Sequence, residues 1–131
     1  MTARETVGDL AGMLSGMAPA LDARRWAFAA VDGATPEDAF ALIREDEGLA
    51  AILPAGDGGF ARITLMVYSA LDGVGLTAAV ATALAQHGIA CNVVAGFHHD
   101  HLFVPWARRE EALEALAALS NSAAAGEGPS A

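Results

Sequence analysis

The order of apolar segments after residue 60 places the strongest constraint on the fold. The alternation and spacing of apolar residues predict five elements, in the order strand 61–69, helix 74–87, strand 89–95, strand 101–105 and helix 107–119. Helices of this length cover one face of a sheet, so the order is typical of a ferredoxin-like α+β sandwich, with an antiparallel sheet and its helices on one face. Such a sandwich normally closes with one more strand, which the sequence after Leu119 does not supply.

The preceding segment predicts a smaller unit with a strand to spare. Helix 6–17 is followed by strand 25–31, helix 35–45 and strand 49–53. Thr35-Pro36-Glu37-Asp38 is typical of a helix start, and Gly48 is typical of a helix stop. A loop rich in Pro and Gly at 54–59 then separates the two parts. We therefore predict an N-terminal half at 1–57, a fuller domain at 58–119 and a flexible tail at 120–131.

Composition excludes several classes of protein and partner. The 131 residues include 7 Arg, no Lys and 16 acidic residues, which gives a net charge of −9. Nucleic acids and anionic membranes require a basic footprint, so neither is an expected partner. Hydrophobic residues make up 54 % of the chain, which excludes a disordered protein. The apolar stretch 74–97 has a polar interior, which indicates a buried helix and strand rather than a membrane span.

Two further features indicate a cytoplasmic protein. The N-terminus lacks the apolar stretch of a signal peptide. Cys91 is the single cysteine, so an intramolecular disulfide is impossible and a reducing compartment is expected. Its apolar neighbours favour an inert, buried thiol over a nucleophile.

The predicted sandwich resembles the ACT domain. That family joins a strand, an Asp-x-x-Gly loop, a helix that ends in Leu-x-x-x-Gly-Ile, and a strand with Asn before a β-branched residue. The residues in register here are Asp72, Gly75, Leu84, Gly88, Ile89 and Asn92. The whole chain is similar to small stand-alone bacterial ACT proteins in which an ACT-like half precedes a fuller ACT domain, with 92–105 as the most characteristic part. The arrangement also resembles the tandem ACT regions of aspartate kinases, which implies an incomplete tandem ACT fold.

The loop at 69–75 is the first candidate site. It links a strand to a helix, so the amide groups of Val74, Gly75 and Leu76 lack intrahelical partners and suit a small carboxylate. Asp72 suits an ammonium group, and together these groups predict a zwitterion site. Alternatively, Asp72 only caps the helix by accepting a hydrogen bond from its first amide groups. In ACT proteins that bind amino acids the effector lies at this loop and the neighbouring strand, which implicates Ser69, Asp72, Val74, Gly75, Leu76, Asn92 and Val93. Val74 stands where the family often has Pro, which implies a less preorganised loop.

Three histidines form the second candidate cluster. Imidazole is a good ligand for transition metals, but on an extended chain His99 and His101 share one face while His98 lies on the other. A third metal ligand would therefore have to come from elsewhere in the chain. The alternative is a polar hairpin that turns near 98–100. If the histidines face the Asp72 loop, we expect them to contact the ligand or to alter its local charge near neutral pH.

These patterns predict a non-catalytic regulatory protein that binds an amino acid or similar small zwitterion without a cofactor. The sequence contains no nucleophile elbow, phosphate-binding loop or carboxylate pair that would indicate an enzyme. ACT-like sheets commonly join at their edges, so the resemblance implies a homodimer through sheet edges or helices, or an internally paired tandem that dimerises further. A protein–protein interaction module without a working ligand site is the alternative. A metal-dependent enzyme that uses His98, His99 and His101 is a third hypothesis.

Overall fold

The computed structural model describes residues 6–126, which form seven strands and three α-helices. In chain order these are α1 (Leu10–Ser15), β1 (Pro19–Leu21), β2 (Trp26–Ala30), β3 (Ala41–Glu45), β4 (Gly48–Pro54), β5 (Phe60–Leu65), α2 (Leu76–Gln86), β6 (Asn92–Ala95), β7 (Asp100–Pro105) and α3 (Arg109–Ala124). A short 3-10 helix at Trp106–Arg108 leads into α3. The five elements predicted after residue 60 are therefore confirmed in type and order.

The seven strands form one antiparallel sheet in the order β3-β4-β2-β5-β7-β6, with β1 also paired to β5. Pro19 lies opposite Leu65, and Trp26 of β2 lies opposite Phe60 further along the same edge of β5. In a ferredoxin-like sandwich that edge belongs to the strand that follows the last helix. The α+β sandwich is thus confirmed, and the N-terminal segment supplies its closing strand.

The main hydrophobic core lies between the sheet and the three helices. Alternate residues of β5 and β7 face this core, and each helix contributes apolar side chains to it. Its fully buried members include Met13, Leu14, Met17, Ile63, Leu65, Val80, Leu84, Leu102, Val104 and Leu116. Burial of each large side chain stabilises the fold by about 1.5–3 kcal/mol. The core therefore joins α1, at the N-terminal end, to the elements that follow residue 60.

The other face of the sheet curls around an aromatic cluster. The ring centroid of Trp26 lies 5.6 Å from that of Phe40 and 6.1 Å from that of Phe103, in both cases edge to face. The guanidinium group of Arg62 lies 4.6 Å from the centroids of both Trp26 and Phe40, and its Nη2 donates to Oδ2 of Asp22 at 3.0 Å. Phe40 therefore holds the segment before β3 against the sheet.

The predicted helix at 35–45 is wrong. Its start signal produces only a turn, in which the amide of Ala39 donates to the carbonyl of Pro36 at 3.4 Å. The amide of Phe40 donates to the carbonyl of Ile52 at 2.7 Å, and the residues that follow form β3, paired with β4. Strand pairing and burial of Phe40 outweigh the local helix signal. Gly48 accordingly begins β4 instead of ending a helix.

Two helix boundaries also differ from the predicted ones. The predicted helix 6–17 is shortened to α1, and α3 continues to Ala124, into the segment expected to be a flexible tail. Residues 127–131 of that tail lie outside the described residues. The division into 1–57 and 58–119 remains a prediction, and so does the tandem arrangement. A single sheet contains strands from both parts.

The apolar stretch 74–97 contains α2 and β6, as the sequence predicts. Between residues 6 and 126, no helix has both the length and the apolar character needed to cross a membrane.

Candidate functional site

Two adjoining cavities open beside the segment that follows β5. The smaller has a volume of about 90 Å³ and is lined by Met13, Ser69, Ala70, Leu71, Gly73, Leu76, Thr77, Ala95 and Asp100. The larger has a volume of about 300 Å³ and is lined by Thr6, Tyr68, Ser69, Ala70, Leu71, Asp72, Phe97 and His98. Ser69, Ala70 and Leu71 line both cavities, so the two lie next to each other.

The smaller cavity combines the beginning of α2 with a carboxylate. Gly75 is the N-cap of α2 with φ 103°, and the amide of Ala79 donates to its carbonyl at 2.9 Å. The amide groups of Leu76 and Thr77 precede this first helical hydrogen bond, so they have no acceptor within the helix. Asp100 lines the same cavity, where its Oδ2 accepts a hydrogen bond from Oγ of Ser69 at 3.1 Å. The cavity thus lies between the first turn of α2, whose amide groups suit an anion, and a carboxylate that suits a cation.

Sheet topology brings Asp100 to this position. β5 and β7 are antiparallel neighbours, so the start of β7 lies beside the end of β5. Asp100 also lies opposite Ala95, at the end of the hairpin that β6 forms with β7. The carboxylate therefore faces the loop that links β5 to α2, although 31 residues separate it from Ser69.

The larger cavity is lined mainly by rings and apolar side chains. The ring centroid of His98 lies 5.6 Å from that of Tyr68 and 5.0 Å from that of Phe97. Leu71 and Phe97 are 71 % and 80 % exposed, and Asp72 is also exposed. This cavity therefore suits the apolar part of a ligand, with one carboxylate available at its outer side.

The structure brings four of the predicted ligand-binding residues to the cavities. Ser69 lines both, Leu76 lines the smaller, and Asp72 and His98 line the larger. Among the described residues, no side chain caps α2, and its N-cap is Gly75 rather than Asp72. The capping alternative for Asp72 therefore does not hold.

The other four predicted residues of the loop and strand line neither cavity. Val74 is 82 % exposed and outside both cavity linings. Asn92 is exposed on β6, whereas the side chain of Val93 packs against the main core. Gly75 contributes the helix start itself and contacts α1, because a Cβ atom at this position would lie 3.2 Å from Cδ2 of Leu10.

The histidines form the predicted hairpin, and their side chains point in different directions. The amide of Gly96 donates to the carbonyl of His99 at 2.9 Å, which closes the turn between β6 and β7. His98 lines the larger cavity, and the His99 ring lies 4.9 Å from Tyr68. Within 6–126, no group of three His, Cys, Asp or Glu side chains is arranged to hold a metal ion.

His101 lies on the opposite face of the sheet from the cavities. Its Nδ1 is 2.9 Å from Oγ1 of Thr64, and its ring lies 4.7 Å from Phe40. Burial lowers the pKa of His101 below its usual range, and the charge of Arg62 lowers it further. The ring contact makes His101 part of the aromatic cluster. Because its pKa is lowered, its imidazole is neutral near pH 7.

Cys91 also lies outside both cavity linings. Burial raises the pKa of its thiol to about 11, so very little thiolate is present near neutral pH. This is the environment of an inert thiol.

Residues 6–8 complete the site from a part of the chain that the sequence pattern did not connect with it. The amide of Val7 donates to the carbonyl of Tyr68 at 2.7 Å, and the amide of Ala70 donates to the carbonyl of Val7 at 2.8 Å. These bonds lay the N-terminal segment alongside the loop, where Thr6 lines the larger cavity. Sequence reasoning missed Thr6, Tyr68, Phe97 and the placement of Asp100, because each depends on contacts between distant segments.

Comparisons with known proteins agree with this architecture. Residues 62–118 match the family model of the ACT domain. The chain is similar to a Vibrio cholerae protein of unknown function, described as a possible transport protein, with 43 % identity and a TM-score of 0.71 over 79 % of this chain and 89 % of that one. It shares the fold of an Agrobacterium tumefaciens protein, with 24 % identity and a TM-score of 0.57 over 72 % of this chain and 81 % of that one. The comparison with curated proteins gave no match. The chain therefore contains an ACT domain at residues 62–118.

Proposed function

We propose that this protein is a non-catalytic regulator that binds an amino acid or a similar small zwitterion across the two cavities. The amide groups of Leu76 and Thr77 bind the ligand carboxylate, and Asp100 binds its ammonium group. The ligand side chain extends past Leu71 into the larger cavity. The observation that supports this proposal is the presence of the α2 N-terminus and the Asp100 carboxylate in one small cavity.

The polarity of the smaller cavity matches a zwitterion. The N-terminus of a helix carries a partial positive charge of roughly half a unit, and its free amide groups donate to anions. A carboxylate close by binds a cation through a charge-assisted hydrogen bond. Because the two groups line the same small space, a ligand whose ammonium and carboxylate groups are attached to one carbon atom neutralises both, whereas a simple anion leaves Asp100 without a cation.

Binding without chemistry is the function that the site residues favour. ACT domains are generally regulatory. The hydroxyl of Ser69 donates to Asp100, and the described lining of the smaller cavity contains no imidazole that would act as a base. We infer that the bound ligand changes the interactions of this protein rather than reacting in it. The single cysteine is consistent with a cytoplasmic location.

A thermal-shift screen against the twenty standard amino acids tests the proposal. A ligand that binds the folded state raises the melting temperature by mass action, so we expect one or a few amino acids to do so. Calorimetry on each hit then compares Asp100→Asn with Asp57→Asn, a matched change in the exposed loop before β5. We expect Asp100→Asn to weaken binding about tenfold or more and Asp57→Asn to leave it unchanged. A flat screen would contradict the proposal.

Asp72 is the alternative to Asp100 as the acceptor of a hydrogen bond from the ligand ammonium group. Asp72 lies in the larger cavity and is exposed, whereas Asp100 shares the smaller cavity with the helix amides. We expect Asp72→Asn to weaken binding less than Asp100→Asn does. The reverse order would move the ammonium group to Asp72 and the ligand backbone into the larger cavity.

An interaction module is the second candidate function, and a separate surface favours it. Phe28 on β2 and Ile43 on β3 lie on one face of the sheet and Leu42 lies on the other, and each is large, apolar and more than 40 % exposed. In the sheet as described, β3 and β6 are the edge strands, which suits edge-to-edge assembly into a homodimer. Sedimentation of wild type and Ile43→Glu tests this assembly, since a dimer that uses β3 dissociates in the variant. An unchanged dimer would place the contact elsewhere, and a monomeric wild type would contradict the homodimer.

A further inference from the structure

Helix α1 packs directly on the two glycines of the loop that precedes α2. A Cβ atom at Gly75 would lie 3.2 Å from Cδ2 and 3.3 Å from Cδ1 of Leu10. A Cβ atom at Gly73 would lie 3.0 Å from Sδ and 3.2 Å from Cε of Met13. These distances are shorter than ordinary contacts, so the side chains of Leu10 and Met13 occupy the space beside both glycines.

The helix that carries these side chains is itself fixed from several directions. Met13 and Leu14 are fully buried in the main core, and Oγ of Ser120 on α3 donates to the carbonyl of Ser15 at 3.3 Å. Before the helix, the backbone of Val7 is bonded on both sides to the segment 68–70. Asp9 caps α1, with Oδ2 accepting from the amide of Gly12 at 2.8 Å. The loop is therefore packed against a support that is anchored in the core.

We propose that Leu10 and Met13 are positioning residues for the ligand site, which they act on through Gly75 and Gly73. They hold the loop so that the first amide groups of α2 already face the smaller cavity before a ligand arrives. A site that is ordered in advance loses less conformational entropy on binding, so its affinity is higher. The effect on affinity rests on the proposed function, whereas the effect on the loop does not. Both residues precede the segment that matches the ACT domain.

Leu10 is the better residue for a test, because Met13 lines the smaller cavity and a change there would also alter direct contacts. In the described part of the chain, Leu10 lines neither cavity. Leu119 on α3 provides a matched control. Both leucines are partly buried and pack against the same core. Leu10 lies on α1 beside Gly75 of the loop, whereas Leu119 lies on α3.

Amide hydrogen exchange of the ligand-free protein tests the positioning. In Leu10→Ala we expect the amides of residues 70–78 to exchange about tenfold faster than in wild type, because the loop loses its support. We expect Leu119→Ala to leave these amides within about twofold of wild type, and Leu10→Met to restore most of the protection. Equal loop exchange in Leu10→Ala and Leu119→Ala would overturn the inference. If Leu10→Ala fails to fold, Leu10→Val is compared with Leu119→Val in the same way.

Calorimetry with an amino acid that binds the wild type then measures the effect on affinity. We expect Leu10→Ala to weaken binding about fivefold and Leu119→Ala to leave it unchanged. Faster loop exchange with unchanged affinity would mean that the loop support does not serve binding, and would overturn that part of the inference. If no amino acid binds the wild type, the proposed function fails, while the exchange experiment still decides whether Leu10 positions the loop.

Discussion

Two carboxylates face the candidate site, and their surroundings give them different roles. Asp100 is half-buried and accepts a hydrogen bond from Ser69, which fixes the direction of its carboxylate. Asp72 is exposed and lies at the wider cavity. A fixed, partly desolvated carboxylate binds a cation more strongly than a mobile, hydrated one, since solvent screens the latter. The sequence drew attention to Asp72 through its loop motif, whereas only the fold reveals the position of Asp100.

Replacing Ser69 tests whether the orientation of Asp100 matters for binding. Ser69→Ala removes the donor that holds the carboxylate, so we expect affinity for the bound amino acid to fall by roughly 1 kcal/mol, or about fivefold. Calorimetry measures the change. Ser15→Ala is the control, because its hydroxyl donates to the carbonyl of Gly12 within α1 at the surface. Equal affinities for Ser69→Ala and wild type would contradict the role given to this hydrogen bond.

We expect the partly buried His101 to make stability depend on pH. Its pKa is lowered in the folded protein by burial, by Arg62 and by His99, against an opposing effect of Asp100. An unfolded histidine has a pKa near 6.5. The unfolded state therefore binds more protons as the pH falls through 6.5, and the folded protein loses stability below that pH.

Urea unfolding at pH 7, 6 and 5 measures this dependence. We expect His101→Asn to have a smaller decrease in the free energy of unfolding between pH 7 and 5 than wild type has, whatever its stability at pH 7. His87→Asn is the control, since His87 is exposed at the end of α2. The same decrease in His101→Asn and wild type would show that His101 does not titrate below its usual range.

Among the helices and strands, the sequence correctly predicted those whose residue pattern lies within one short stretch of chain. Leu76, Val80 and Leu84 repeat at helical spacing, and α2 buries all three. The histidine-rich segment indicated a hairpin that turns near 98–100, and β6 and β7 form this hairpin. Both structures depend on neighbours within the same stretch of chain. These were the elements that carried the resemblance to the ACT domain.

Elements that depend on distant partners were predicted poorly. Residues 40–45 contain apolar side chains at spacings that fit a helix or a strand, and pairing with β4 decides for the strand. β1 is only three residues long, and its pairing with β5 crosses more than forty residues of chain. The same limitation hid the contact between Asp100 and Ser69. The observed site therefore differs from the predicted one where it depends on pairing between distant segments.

Phe40 is expected to contribute strongly to the attachment of the 31–40 segment. Its ring packs against Trp26, Phe103 and His101. We expect Phe40→Ala to lower the free energy of unfolding by about 2 kcal/mol, less than a fully buried Phe would lose. Urea unfolding measures this, with Phe97→Ala as a control. Phe97 is 80 % exposed, so its removal is expected to cost less than about 0.5 kcal/mol. Equal costs for the two variants would contradict the packing described here.

For the molecule as a whole, most of the net charge lies on the surface. The acids at Glu37-Asp38 and 45–47 are exposed, as are Glu110, Glu111 and Glu114 on α3. Arg62 is partly buried against the rings of Trp26 and Phe40, where it pairs with Asp22. The net charge therefore favours solubility, and little of it concerns the ligand site.

The ACT segment is expected to need the N-terminal elements in order to fold. A fragment of residues 58–126 lacks Met13, Leu14 and Met17 from the main core and leaves the edge of β5 without β1. We expect this fragment to be unfolded or aggregated, since exposed edges and lost burial both favour association. Circular dichroism and proton NMR measure its folding against a 6–126 fragment, which we expect to fold. A monomeric 58–126 fragment with dispersed NMR signals would show that the segment folds alone.

The position of β1 has a consequence for protein synthesis. β1 and α1 leave the ribosome before β5 has been made. Their apolar side chains therefore lack packing partners until more than forty further residues have been added. α3, which covers Met13 and Leu14, is made last among the described elements. The core therefore closes only near the end of translation, and the early apolar segments stay exposed during elongation.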